Sequence, residues 1–146
     1  MTGQHSNRPS TGAITRALLR LIAAAGLALD AAVHARLAGH YDAVAKTVSE
    51  GDLFRAEAAA AALAVLLVLL WRRRAGDLFA LAVAAAGLAA ILLYRYANVG
   101  ALGPLPNMYE PIWSTDKATA AFAQGIAVLA LSVLVIRPAD GRTPAS

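Results

Sequence analysis

Four apolar segments, each close to the length of one bilayer crossing, constrain this chain more than any other feature. They run from about Ile14 to Leu37, Leu53 to Trp71, Leu78 to Tyr96 and Ala118 to Ile136. A hydrocarbon core about 30 Å thick takes about 20 residues of α-helix at about 1.5 Å each, and all four segments are near that. A helix of a soluble bundle keeps a polar stripe at helical period, and the second, third and fourth segments have almost none. The reading is therefore all-α: an integral membrane four-helix bundle over residues 14–137. The flanks, residues 1–13 and 138–146, are small, polar and turn-prone, and read as disordered tails.

Charge sets the orientation. The net charge is +4 and the pI about 10.0, values that on their own suit a nucleic-acid partner. The distribution argues otherwise. Arg8, Arg16, Arg20, Arg72, Arg73, Arg74, Arg137 and Arg142 fall on one side of the bundle with only Asp77 and Asp140. Arg36, Lys46, Arg55, Arg95 and Lys117 fall on the other, among Asp30, Asp42, Glu50, Asp52, Glu57, Glu110 and Asp116. The arginine-rich side is expected to be cytoplasmic, with both termini inside the plasma membrane. These arginines sit at helix ends and form no patch interleaved with aromatics, so no nucleic-acid partner is expected. With no cysteine in the chain, disulfide frameworks, thiolate zinc sites and Cys-ligated iron–sulfur clusters are excluded. A competing reading takes Leu21–Leu29 as the apolar run of a signal peptide cleaved near Val33-His34-Ala35. Against it, the run continues helically past that site, and its removal leaves an odd bundle of three.

The inner connection, Arg72 to Asp77, is tight. The outer ones, Ala38–Asp52 and Ala97–Lys117, are longer. Ser49 or Asp52 is the expected N-cap of the second helix, and Ser114, Thr115 or Asp116 that of the fourth. Pro104, Pro106 and Pro111 restrict the second outer loop, which reads as folded. Tyr41, Tyr94, Tyr96, Tyr109 and Trp113 fit an aromatic belt at that interface. Small-residue ridges at Ala58/Ala62, Ala82/Ala86/Ala90 and Ala123/Ala127 are candidate packing surfaces.

A depth calculation gathers the scattered polar residues. Measured from the inner arginines at about 1.5 Å per residue, His34 and Glu57 lie about 21 Å up, Gln124 about 20 Å, Asp30 about 15 Å and Arg95 about 26 Å. Asp30 and His34 are i,i+4 and share one face. A charge at membrane depth costs about 3 kcal/mol on insertion scales, so Asp30 needs a partner: His34 or the Gln124 amide. Asp30, His34, Glu57, Arg95 and Gln124 are thus the candidate ligand-binding layer. Glu57 and Arg95 are placed to form a salt bridge, and Glu110 to fold back over the site. As a metal set, Asp30, His34, His40 and Glu57 offer carboxylates and imidazoles suited to copper(II), zinc or non-haem iron. No nucleophile elbow, P-loop, HExxH or other enzyme signature is present, and no cofactor is required.

The arginine-led first helix TRALLRLIAAAGLAL, the short inner turn and the overall layout resemble the DoxX-like group of small bacterial membrane proteins. LFRAEAAAAALAVLL and NVGALGPLPNMYEPIW resemble small membrane proteins of high-GC Gram-positive bacteria. The resemblance implies association with redox-related membrane complexes. Its pattern does not call for Asp30 and His34, so it assigns no site residue. Three functions stand open: a non-enzymatic accessory or scaffold of a larger membrane complex or homo-oligomer; a binding protein for a metal, quinone or lipid headgroup; and an oligomeric transporter or proton pathway.

Overall fold

The structure is a computed structural model, and it describes residues 10–137. The outer parts of both expected tails, 1–9 and 138–146, lie outside the described residues. Four long helices make up the fold: α1 Thr11–Leu37, α2 Glu50–Leu66, α3 Arg74–Tyr96 and α4 Thr115–Ile136. A 3-10 turn, Ala38–Tyr41, follows α1, and a π-helical turn, Leu67–Trp71, extends α2. All four helices are long and apolar enough to cross a membrane, as in a multi-pass membrane protein. Below, the terminal end of the bundle carries Thr11, Ile136 and the 71–74 turn, and the loop end carries the two longer connections.

Each helix ends where its apolar segment ends, but each begins three or four residues earlier than expected. The first turn is polar because it does capping work, so hydropathy alone places the start too late. Ser10 accepts the Ala13 amide at 3.2 Å, which makes Thr11–Ala13 helix rather than tail. Ser49 and Asp52 divide the roles expected of either. The Ser49 hydroxyl accepts the Asp52 amide at 2.9 Å while the Asp52 carboxylate accepts the Ser49 amide, a capping box. Ser114 caps α4 through the Lys117 amide.

Around the bundle the order is α2, α1, α4, α3. Helices α2 and α3, joined by the shortest connection, share the thinnest contact. The dry core lies in the terminal half, built from Ala23, Leu27, Ala61, Ala64, Val68, Ala80, Ala84, Ala127, Ala130, Leu131 and Leu134. Seven of these eleven are alanine, which lets the helix backbones approach closely. Ala123 and Ala127 pack as expected. On α2 only Ala58 of its pair is buried, and on α3 the expected ridge is rotated outward, since Ala80 and Ala84 are buried while Ala82, Ala86 and Ala90 are exposed.

Gly26 marks the tightest crossing. A Cβ added there would stand 2.6 Å from the Ala123 carbonyl oxygen, which is backbone and cannot turn aside. Gly26→Ala is expected to force α1 from α4 and destabilise the bundle by about 1–3 kcal/mol. Chemical unfolding in mixed micelles measures it.

The terminal end is clamped by two residues that read in sequence as interface markers. The Arg20 guanidinium pairs with both oxygens of Asp77, at 2.7 and 2.8 Å, and both side chains are buried. It also donates to the Val68 carbonyl at 2.8 Å and the Arg72 carbonyl at 3.3 Å. Those carbonyls lie where the π turn leaves the helical ladder, and Arg72 itself is left-handed, with φ 55°. This pair thus joins α1 to the end of α2 and the start of α3, with the cation at the α2 C-terminus and the Asp77 anion in the first turn of α3, the charge each helix dipole favours.

Candidate functional site

Above the alanine core, toward the loop end, the interior turns polar. Asp30 is wholly buried, and its Oδ1 accepts the Gln124 amide at 2.8 Å and the His34 Nδ1–H at 3.0 Å. His34 Nδ1 also lies 3.1 Å from the Asp30 carbonyl oxygen, so one nitrogen serves both Asp30 acceptors. In a neutral ring this contact places the proton on Nδ1 and leaves Nε2 as the acceptor, and in a protonated ring both nitrogens donate. The Glu57 carboxyl lies beside this group, its Oε1 and the Gln124 amide nitrogen both close to the Gly87 backbone. Helices α1, α2 and α4 therefore bring Asp30, His34, Glu57 and Gln124 together, as the depth calculation anticipates.

Helix α3 contributes differently from expectation. Arg95 does not bridge to Glu57. Its guanidinium lies over the rings of Tyr96 and Trp113, at 5.0 and 5.6 Å from their centroids. Glu57 is about two turns into α2 and lines the cavity, whereas Arg95 is in the last turn of α3, where the aromatic belt offers its ring faces. What α3 gives the cluster is an absence of side chain. At Gly87 an added Cβ would collide with the Gln124 amide and stand 2.8 Å from Glu57 Oε1. Its only sequence signal is an isolated glycine inside an otherwise uninterrupted helical run.

Beside the cluster lies a cavity of about 510 Å³, a size suited to a small organic ligand. Val33, Leu53, Phe54, Ala60 and Ile91 supply apolar wall, and His34 and Glu57 supply polar groups. Phe54 meets the His34 ring edge-on, with centroids 5.1 Å apart, and holds its plane. Ala56, Ala86 and Ala90 line the cavity and are also exposed, so among the described residues it is open between α2 and α3.

Glu110 does fold back, as the sequence suggests. Its amide donates to the Tyr94 carbonyl at 3.1 Å, and its carboxylate meets Lys117 at 2.7 Å and the Tyr41 hydroxyl at 3.4 Å. The amides of Thr47 and Val48 both donate to the Pro104 carbonyl, tying the two loops together. Outside the cavity the Arg55 guanidinium bonds Asp42 at 2.8 and 2.9 Å and holds that exposed carboxyl below its ordinary range.

His40 stands apart, exposed on the 3-10 turn. Among the described residues no three His, Asp or Glu side chains are grouped to hold a metal ion, so Asp30, His34, His40 and Glu57 do not assemble as a ligand set. The 3-10 turn leaves His40 exposed, apart from the buried His34 and Asp30.

Fold and site together define a protein of four helices long and apolar enough to span a membrane, with a buried carboxyl–imidazole–amide cluster beside an apolar cavity. Compared with known proteins, the chain has no significant match to a family model, a curated protein or a solved structure.

Proposed function

We propose that this is a multi-pass plasma-membrane protein, with both termini cytoplasmic, that binds a membrane-dissolved amphiphile in the loop-end cavity. The carrying observation is that cavity: apolar walls, polar groups at His34 and Glu57, and an open side between α2 and α3. An amphiphile can enter sideways from the bilayer without crossing the tied loops, seat its head against His34 and Glu57, and leave its apolar part among the alanines. Setting aside Arg20 and Asp77, which neutralise each other, seven arginines and Asp140 remain on the terminal side. That excess still supports cytoplasmic termini.

The test fills the cavity from a position whose neighbours leave room. Protein extracted in its native lipid is expected to retain a defined amphiphile, seen by native mass spectrometry, at a stoichiometry near one per chain. Ala86→Phe is expected to lose it while keeping helicity and thermal stability. An identical set of bound lipids in both proteins would refute the binding reading and favour an accessory or scaffold role.

A further inference from the structure

We propose that the cavity takes a lipophilic organic cation and exchanges it for a proton held between Asp30 and Glu57. The inference rests on the amphiphile-binding reading above and names the chemistry of the occupant.

Hydrogen-bond accounting leads to it. Asp30 Oδ1 is satisfied by Gln124 and His34, but Asp30 Oδ2 and Glu57 Oε1 are both buried without a partner. Each is an acceptor, and two facing carboxylates in a low-dielectric interior repel. A single proton on the Glu57 carboxyl converts the pair into one donor and one acceptor and removes the repulsion. Four arginines are engaged away from the pair: Arg20 with Asp77, Arg36 with Asp116, Arg55 with Asp42 and Asp52, and Arg95 over Tyr96 and Trp113, its Nε buried without a hydrogen-bond partner. Arg16 is more than two helical turns from Asp30 toward the terminal end.

The groups facing the pair and its cavity favour a cation. Helix α1 presents His34, with its Nδ1–H already donated to Asp30, and α3 presents the bare backbone at Gly87 and the Tyr94 phenol. Helix α2 presents Glu57 and, near the rim, Glu50; α4 presents Gln124, Asp116 and Lys117; the turn and loop present Tyr41 and Glu110. Lys117 is paired with Glu110, Asp116 with Arg36 and Asp30 with His34 and Gln124, which leaves Glu50 and Glu57 as the cavity carboxyls without a basic partner. An anionic lipid head meets repulsion there, and a neutral quinone meets mostly acceptors. A lipophilic cation meets complementary charge and apolar walls. In the exchange the only bond broken is the Glu57 O–H; its proton passes to water, the cation takes its place beside the carboxylates, and the site's net charge is unchanged.

The test uses full-length protein in nanodiscs of zwitterionic lipid, with tetraphenylphosphonium as cationic probe and a short-chain benzoquinone as neutral probe. Calorimetry in buffers of different ionisation enthalpy counts protons released. Wild type is expected to bind the cation with release approaching one proton, and the apparent Kd to tighten by up to about tenfold per pH unit while the pair stays protonated. Glu57→Gln is expected to bind at least about tenfold more weakly and release none. Ala86→Phe, which leaves both carboxyls in place, should bind neither probe and guards against a Glu57 variant that misfolds. Cation binding without proton release, or quinone binding alone, would overturn the exchange and leave amphiphile binding standing. If wild type bound neither probe and also carried no native amphiphile, both readings would fall.

Discussion

Asp77→Ala is expected to destabilise the bundle by about 3–5 kcal/mol, the cost typical of removing one partner from a buried ion pair. The loss follows from what remains. Arg20 would keep its charge in a buried site where only the Val68 and Arg72 carbonyls could still accept from it. Those carbonyls belong to the π turn that ends α2 and to its Arg72 cap, so the α2–α3 connection should loosen with it. Arg20→Leu combined with Asp77→Leu removes both charges and is expected to recover part of the loss, since a buried pair replaced by apolar groups is often near neutral. Recovery stays incomplete because the two carbonyls lose their donor. Equilibrium unfolding in mixed micelles, with helicity followed by circular dichroism, reads all three proteins. An Asp77→Ala protein as stable as wild type would mean that the pair clamps nothing.

Gly87→Ala is expected to damage the site more than any other single methyl group. The new Cβ falls on the Gln124 amide, which is wholly buried and bonded to Asp30, and stands close to Glu57 Oε1. Overpacking costs about 1–3 kcal/mol, and an Asp30 acceptor deprived of its donor costs a further 1–3 kcal/mol or about that. Gly125→Ala provides a control of opposite sign. It lies one residue from Gln124 in α4, and nothing stands within 4 Å of a Cβ built there. Replacing glycine by alanine in an unobstructed helix stabilises by about 0.5–1 kcal/mol. The two variants should therefore move the thermal midpoint in opposite directions, and only Gly87→Ala should abolish amphiphile retention. Equal shifts of the same sign would show that the α3 backbone does not seat against the cluster.

The gathering of Asp30, His34, Glu57 and Gln124 was legible because depth in a membrane helix is arithmetic. A fixed rise per residue and charged markers at the ends put residues from different helices at one level. Rotation about each helix axis has no such rule. The depth calculation puts Glu57 and Arg95 close in height, yet Glu57 lines the cavity beside Gly87 and Arg95 lies against two aromatic rings. Similarly, α3 buries Ala80 and Ala84 rather than the equally small Ala82, Ala86 and Ala90. In a helix apolar on every side, composition gives little indication of which face meets protein and which meets lipid.

What the chain determines by itself is local: four helices, the residues at which they stop, and the serines that start three of them. Length, hydropathy and capping chemistry act within a few residues and need no partner. What only the tertiary structure decides is which faces meet. Packing of alanine ridges around Gly26 sets the rotations of α1 and α4, and the Arg20–Asp77 clamp fixes α1 on the α2–α3 turn. Those constraints turn one acid at mid-helix into part of a four-residue cluster, place the bare backbone of Gly87 beside it, and leave α2 and α3 apart enough for the cavity between them.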